Sequence, residues 1–185
     1  DVIAFVAQNV AAAAADESRE IVSVPAVMTE LIGKGLLGRK SGAGVYKKVA
    51  KPKKAILTLD LDSFDYREPQ PPDLPELAKV GKIPDPRERL RTLIQGDGRA
   101  ARAAWKVVAP SLSYAAMRLG EIADDAATID EAMKLGYNWE LGPFEVWDAL
   151  GFRSTTERLR SDGYPLPDWV KTLHRDGGES LYVWE

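Results

Sequence analysis

The sequence predicts a mainly α-helical fold with short extended pieces, and three observations support this prediction. The longest apolar pattern recurs at three- and four-residue spacing over roughly six turns, which is typical of an amphipathic helix. The pattern runs through Ala101, Ala104, Trp105, Val108, Leu112, Ala115, Ala116, Leu119 and Ile122. Proline and glycine residues repeatedly mark the starts and ends of further short helices. Segments with strand propensity are few and short.

The composition is that of an ordinary globular protein and excludes several classes of function. Hydrophobic residues make up 45% and charged residues 29% of the 185 residues, and the formal net charge is -3. This charge gives no global attraction to nucleic acid or to an anionic membrane, so we expect neither partner. The absence of cysteine excludes disulfides and fits a cytoplasmic location. The sequence starts inside a helical pattern without an initiator methionine, so we expect a piece of a longer protein.

The N-terminal part is predicted to contain two helices. Residues 2–15 have an apolar face that predicts the first helix, and Pro25 opens the second. The glycines within residues 33–38 end the second helix, and residues 43–47 are predicted to be extended.

A lysine- and proline-rich stretch follows these helices. Five lysines lie within residues 47–54, and residues 55–62 begin with strand propensity. We interpret residues 49–86 as an extended connector with at most one short helix, near residues 74–80, because prolines interrupt regular structure.

The long amphipathic helix contains Pro110, which predicts a kink. A short helix precedes it and ends at Gly96. After it, Thr128 and Glu131 have the spacing of a capping box for a helix that runs to Gly136.

The C-terminal part is predicted to contain three more short helices. Gly142 and Pro143 start the first of them and Gly151 closes it. The other two are predicted at residues 154–162 and 167–175.

Residues 33–38 match the pattern G-x-G-x-x-G, and Asp60 follows at a suitable distance. In a dinucleotide-binding loop, however, a strand precedes these glycines and a helix follows them. Here a helix precedes them and no helix pattern follows, so we interpret the segment as a glycine-rich turn.

Other candidate chemical groups have simpler structural interpretations. His174, the single histidine, is predicted at a helix end, where it interacts with the last carbonyls. The acidic residues Asp124, Asp125, Asp130 and Glu131 lack the spacing of a calcium loop. With one histidine and no cysteine, we expect no metal site.

Two further features have both a functional and a structural interpretation. The lysine run at residues 47–54 could attract a phosphate-rich ligand, although such a run is more often a solvated surface. Asp148 lies four residues after Phe144 on one helix face and is predicted to hold the loop at residues 136–141 by hydrogen bonds rather than to act in catalysis.

Two spaced motifs between Tyr114 and Gly151, I-D-x-A-M-x-x-G and G-P-F-x-x-x-D-x-x-G, carry a family resemblance. Their residues are Ile129, Asp130, Ala132, Met133, Gly136, Gly142, Pro143, Phe144, Asp148 and Gly151. The segment resembles the C-terminal helical domain of 3-hydroxyacyl-CoA dehydrogenases. This resemblance implies a helical bundle like the C-terminal domain of 6-phosphogluconate dehydrogenase.

A second motif resembles the end of the same domain, G-x-x-G-x-K-x-G-x-G-F-Y. Its residues are Gly35, Gly38, Lys40, Gly42, Gly44 and Tyr46, with Val45 in place of the aromatic residue. The two resemblances imply tandem copies. Residues 1–48 would be the C-terminal part of a first copy, residues 49–86 the connector, and residues 87–185 a complete second copy.

The resemblance implies NAD-dependent oxidation of a 3-hydroxyacyl-CoA to a 3-oxoacyl-CoA in fatty-acid β-oxidation. The family uses a His–Glu pair and a serine in a Rossmann domain, with an asparagine in the first helical copy, and none of these is matched here. Lys106 and Val107 stand where the family has an Asn–Arg pair. We therefore expect no catalytic residue in this chain, no activity from the chain alone, and NAD bound only by a Rossmann domain outside it.

The expected partners are that Rossmann domain, the acyl-CoA substrate of the full-length protein, and a second copy in a homodimer. Two alternatives remain open at this stage. One is a non-catalytic helical interaction module. The other is the helical domain of a different two-domain dehydrogenase, of the 6-phosphogluconate or 3-hydroxyisobutyrate type.

Overall fold

A computed structural model describes residues 2–14, 23–50 and 54–182 of the 185-residue chain. The fold is mainly α-helical, as predicted. The chain divides into two compact units, Asp1–Pro72 and Asp73–Glu185. The division lies inside the stretch 49–86 that we interpreted as a connector. In the part of the chain that the structure describes, no helix is long and apolar enough to cross a membrane.

In its described residues, the first unit combines two helices with a small antiparallel sheet. The helices are α1 (Val2–Ala13) and α2 (Ala26–Gly33), and a short 3-10 turn covers Arg39–Ser41. The strands are β1 (Tyr46–Val49), β2 (Ala55–Leu59) and β3 (Tyr66–Arg67), in the order β1-β2-β3.

The register of this sheet is set by a β1–β2 hairpin in which Tyr46 pairs with Thr58 and Lys48 pairs with Ile56. At its far edge Leu59 pairs with Tyr66. The strand propensity of residues 55–59 is therefore realised, and part of the stretch interpreted as a connector belongs to a folded sheet.

The second unit is built from helices. They are α3 (Pro75–Val80), α4 (Pro86–Ile94), α5 (Arg99–Arg118), α6 (Ala126–Tyr137), α7 (Pro143–Leu150), α8 (Phe152–Ser161) and α9 (Asp168–Arg175). Proline stands at the start of α3, α4 and α7, because its missing N–H group has no helix partner there. The start of α7 at Pro143 agrees with the prediction. The short helices predicted near residues 154–162 and 167–175 correspond to α8 and α9.

The core of the second unit forms around one face of α5. Trp105, Ala109, Leu112 and Ala116 recur at helical spacing and are buried. They pack in one cluster with aromatic and aliphatic side chains of the later helices: Phe144, Trp147, Leu150, Phe152, Leu159 and Val170. Burial of these side chains stabilises the unit, because apolar area removed from water contributes about 25 cal/mol per Å².

Three predicted boundaries in this region are wrong. The long helix ends at Arg118 instead of continuing to Ile122. Helix α6 is capped by Asp125, whose carboxylate accepts the N–H of Thr128 at 2.7 Å, so Thr128 is not the capping residue. The helix ends at Tyr137 instead of at Gly136, and the residue after it, Asn138, is the C-cap with a left-handed φ of 55°.

Candidate functional site

In the second unit, the two motif segments meet at the junction between α6 and α7. Asp130 is buried at 1% exposure and lies against the N-terminus of α7. Its carboxylate accepts the N–H of Phe144 at 2.8 Å and the N–H of Glu145 at 2.7 Å. These N–H groups have no partner within their own helix, so Asp130 caps α7 from a distant part of the chain.

Glu145 completes this junction from the other side. One oxygen of its carboxylate accepts the N–H of Gly142 at 2.9 Å, which ties the residue before α7 to the helix. The other oxygen accepts from Lys134 at 3.0 Å and from Arg87 at 3.4 Å. Glu145 therefore connects α4, α6 and α7 through one half-buried carboxylate.

The C-terminal segment closes over the same junction. The hydroxyl of Tyr182 donates to Asp130. Asp148 accepts the N–H of Leu181 at 2.8 Å and the hydroxyl of Ser180. The prediction that Asp148 holds the loop at residues 136–141 is therefore wrong, because its partners lie in the C-terminal segment.

Asp130, Glu145 and Tyr182, three of the ionisable groups at this junction, have shifted pKa values. Burial raises the pKa of Asp130 above its usual value, although the hydrogen bonds from Tyr182, Phe144 and Glu145 oppose the rise. Burial acts in the same direction on Glu145, but the hydrogen bonds from Gly142 and Lys134 outweigh it and the pKa of Glu145 is lowered. Burial and the adjacent Asp130 carboxylate raise the pKa of the Tyr182 hydroxyl far above its usual value, so it remains a donor.

The carboxylate oxygens of Asp130 and Asp148 are engaged by groups of the chain itself. Each carboxylate oxygen of Asp130 already accepts a backbone N–H, and Asp148 is held by the C-terminal segment. A general base needs an oxygen that faces a substrate proton. Within the described ranges, no group of three or more acidic or histidine side chains could hold a metal ion.

Beside this junction, an apolar groove of about 430 Å³ opens within the second unit. Its lining includes Leu90, Leu93, Val107, Val108 and Leu141. Val107 is 72% exposed at this groove, and an Arg89–Glu140 ion pair of 2.6 Å lines it as well. A groove of this kind can receive an apolar chain or an apolar protein surface.

The glycine motif of the first unit forms a tight turn. The Ser41 hydroxyl accepts the N–H of Leu37 at 3.0 Å and contacts the carbonyl oxygens of Gly38 and Ala43 at 3.1 and 2.9 Å. Gly35, Gly38 and Gly42 have positive φ, and Tyr66 donates to the carbonyl of Gly44 at 2.6 Å. The interpretation of this segment as a turn instead of a dinucleotide loop agrees with the strand that follows it.

The remaining motif residues lie at structural positions. Ile129, Pro143 and Phe144 are buried, Met133 is half-buried, Gly136 is exposed, and Gly151 links α7 to α8 with φ of 95°. Lys40 and Tyr46 are exposed in the first unit.

His174 lies near the end of α9, as predicted. The centre of its ring is 6.4 Å from the centre of the Phe152 ring, and its Nε2 is 3.3 Å from a carboxylate oxygen of Glu157. Sequence reasoning did not assign a role to Glu145, Tyr182 or Ser41. Glu145 could have been found from the position three residues after Gly142, which is the capping-box spacing.

Comparison with known proteins places the chain beside dehydrogenases of fatty-acid metabolism. It is 38% identical over all 185 residues to a protein of Bacillus subtilis strain 168 named probable 3-hydroxyacyl-CoA dehydrogenase. The alignment covers the whole chain but 23% of that protein. The chain is homologous to a segment of proteins named 3-hydroxyacyl-CoA dehydrogenase.

Two more distant relatives carry a related name. A putative fatty acid oxidation complex trifunctional enzyme of Rickettsia felis is 26% identical over 176 residues, 92% of the chain and 23% of that protein. Its counterpart in Rickettsia prowazekii is 24% identical over 132 residues, 71% of the chain and 17% of that protein. The chain thus spans about a quarter or less of the relatives it matches. No protein-family model and no solved structure matched it.

Proposed function

We propose that the chain is the C-terminal, substrate-side helical portion of a 3-hydroxyacyl-CoA dehydrogenase. The observation that carries this proposal is the alignment of all 185 residues with a 23% segment of the Bacillus subtilis relative. The full-length protein would oxidise a 3-hydroxyacyl-CoA to the 3-oxoacyl-CoA and pass a hydride to NAD. A Rossmann domain outside the chain would bind the NAD.

The geometry of the second unit supports a non-catalytic role within that enzyme. Its most buried carboxylate, Asp130, caps α7, and its second motif carboxylate, Asp148, holds the C-terminal segment. Lys106 and Val107 are exposed on α5, where the family resemblance places an Asn–Arg pair. The chain alone would therefore bind no NAD and would not turn over substrate.

The apolar groove supports a packing role. Val107, Val108 and Leu141 line a concave surface that is open in the described chain. Leaving such a surface in water is unfavourable, so we propose that another part of the enzyme packs there in the full-length protein. The alternative occupant is a second copy of the subunit, which would give a homodimer.

The proposal is tested by exchanging the segment in the Bacillus subtilis relative. Deletion of the matching segment should abolish NADH formation from a 3-hydroxyacyl-CoA, and replacement by this chain should restore a large part of it. The isolated chain, assayed with NAD and 3-hydroxybutyryl-CoA, should form no NADH. NADH formation by the isolated chain, or full activity of the deleted relative, would contradict the proposal.

A further inference from the structure

The basic residues of this acidic chain are concentrated in one short segment. Residues 31–59 contain eight of the 25 lysine and arginine residues and none of the 28 acidic residues. The rest of the chain therefore carries a clear excess of negative charge. A local excess of one sign attracts ligands of the opposite sign even when the whole protein repels them.

The β1–β2 hairpin presents part of this segment on one face. Tyr46 and Lys48 are two residues apart in β1, so their side chains project to the same face, which Ile56 shares as the partner of Lys48. Lys47 projects to the opposite face, where its ammonium lies 5.2 Å from the centre of the Tyr66 ring. Tyr46 is 65% exposed and makes its flat ring available for contact.

A recess of about 660 Å³ lies between this face and the glycine turn. Arg39, Tyr46, Lys48 and Ile56 line it, together with the backbone of Gly42. Lys48 and Ile56 also line an adjoining recess of about 450 Å³ that includes Lys54. The lining residues of the two recesses include no carboxylate.

Within the described ranges, no side chain neutralises the cations of these recesses. Among the residues that the structure describes, Arg39, Lys48 and Lys54 form no salt bridge. Elsewhere in the same unit, Lys34 pairs with Glu30 and Arg67 pairs with Asp60. The recess therefore offers positive charge to a ligand without breaking an existing ion pair.

The turn that carries Arg39 is already held in shape. The hydroxyl of Ser41 links the two arms of the turn, and the N–H of Gly38 donates to the carbonyl of Ala43 at 2.8 Å. A side chain on Gly44 would overlap the backbone of Gly38. A ligand would thus meet a preformed surface, which lowers the entropy lost on binding.

We propose that this recess binds the adenosine 3′-phosphate 5′-diphosphate end of CoA. Arg39 and Lys48 contact the phosphates, since guanidinium and ammonium groups are the usual phosphate partners. Tyr46 and Ile56 contact the flat adenine ring. The choice of CoA rests on the proposed function, whereas the phosphate chemistry rests only on this surface.

Calorimetric titration of the 185-residue chain at low salt tests the proposal. The ligands are CoA, adenosine 3′,5′-bisphosphate, phosphopantetheine, ATP, inorganic phosphate and vesicles that contain anionic phospholipid. CoA and adenosine 3′,5′-bisphosphate should bind with similar affinity, and phosphopantetheine and inorganic phosphate should bind at least about tenfold more weakly. Affinity should fall as salt rises, because exposed charges are screened.

Matched variants locate the binding. Lys48→Glu and Arg39→Glu should each weaken adenosine 3′,5′-bisphosphate binding about tenfold or more, and Tyr46→Ala should weaken it by a similar factor. Lys106→Glu makes the same charge change on α5 and should leave the affinity within about twofold. Circular dichroism and thermal unfolding of each variant establish that it is folded.

Four results would overturn the proposal. The first is that neither CoA nor adenosine 3′,5′-bisphosphate binds saturably, and the second is that Lys106→Glu loses as much affinity as Lys48→Glu and Arg39→Glu. The third is that ATP binds as tightly as CoA, and the fourth is that the chain binds anionic vesicles in place of nucleotides. This test is separate from the segment-exchange assay of dehydrogenase activity. A chain that restores activity but binds no nucleotide would remove this site and leave the proposed function intact.

Discussion

Asp130 and Gly142 lie so close together that a side chain on residue 142 would overlap the Asp130 side chain and backbone. The backbone of Gly142, with φ of -79° and ψ of 170°, is one that any residue adopts. Glycine is therefore required at this position by the approach of Asp130 and not by backbone conformation. That approach lets Asp130 reach the N–H groups of Phe144 and Glu145.

The first prediction is that Gly142→Ala destabilises the second unit by about 2–3 kcal/mol, because the added methyl group must displace Asp130. Urea unfolding followed by circular dichroism measures the change. Gly136→Ala is the matched control, since nothing lies within 4 Å of a Cβ there and Gly136 is inside α6. That control should gain about 0.5–1 kcal/mol, and equal behaviour of the two variants would show that the Asp130 contact is unimportant.

The second prediction concerns the hydrogen bond from Tyr182 to Asp130. Tyr182→Phe removes the hydroxyl and should lower the free energy of unfolding by about 1–2 kcal/mol, because a buried carboxylate loses one donor. Hydrogen exchange at Leu181 should also become faster, since its N–H bond to Asp148 lies in the same segment. Tyr137→Phe, at a ring that is 70% exposed, should change neither quantity, and an equal effect there would contradict the prediction.

The third prediction is a pH dependence with opposite signs at two neighbouring carboxylates. Glu145 has a lowered pKa, so its stabilising contribution is complete above the unfolded glutamate pKa of about 4.3 and is lost as the pH falls through its folded pKa. Asp130 has a raised pKa, so stability linked to it is complete below the unfolded aspartate pKa and is lost as the pH rises through its folded pKa.

Thermal unfolding between pH 3 and pH 7 separates these two effects. Glu145→Gln should lower the melting temperature more at pH 7 than at pH 3, because the wild-type advantage needs the ionised carboxylate. For Asp130→Asn, the part of the melting-temperature decrease that depends on pH should be larger at pH 3 than at pH 7. The same melting-temperature difference at every pH in both variants would rule out this linkage.

The sequence predicted where most helices of the second unit lie. It did not predict the hydrogen bonds between residues that are far apart in the chain. Pro143 and Gly151 mark the ends of α7 through local backbone chemistry, and the spacing of Trp105 and Leu112 identifies the buried face of α5. The hydrogen-bond partners of Asp130 and Asp148 could not be predicted in this way. Tyr182 lies 52 residues after Asp130, and Leu181 lies 33 residues after Asp148, so only the folded chain brings them together.

The N-terminal cap of α6 is a local feature that the sequence did not predict correctly. The capping-box spacing of Thr128 and Glu131 predicted Thr128 as the cap of α6, and Asp125 was not considered for that position. The structure places Asp125 one residue before the helix, and Thr128 then falls within its first turn. The end of the preceding helix at Arg118 leaves enough chain for this start.

The last prediction tests the proposed packing role of the apolar groove. Val107 is exposed at the groove, so Val107→Glu should change the stability of the isolated chain by no more than about 0.5 kcal/mol. It should nevertheless weaken binding of the chain to the separately produced remainder of the enzyme by about tenfold or more, because a charge would be buried in an apolar contact. Leu135→Glu is the control, since Leu135 is 79% exposed on α6 and does not line the groove. Calorimetric titration and sedimentation measure the binding of the chain to the remainder of the enzyme and its association with a second copy of itself. Binding that both variants weaken equally, or that neither weakens, would place the packing surface elsewhere.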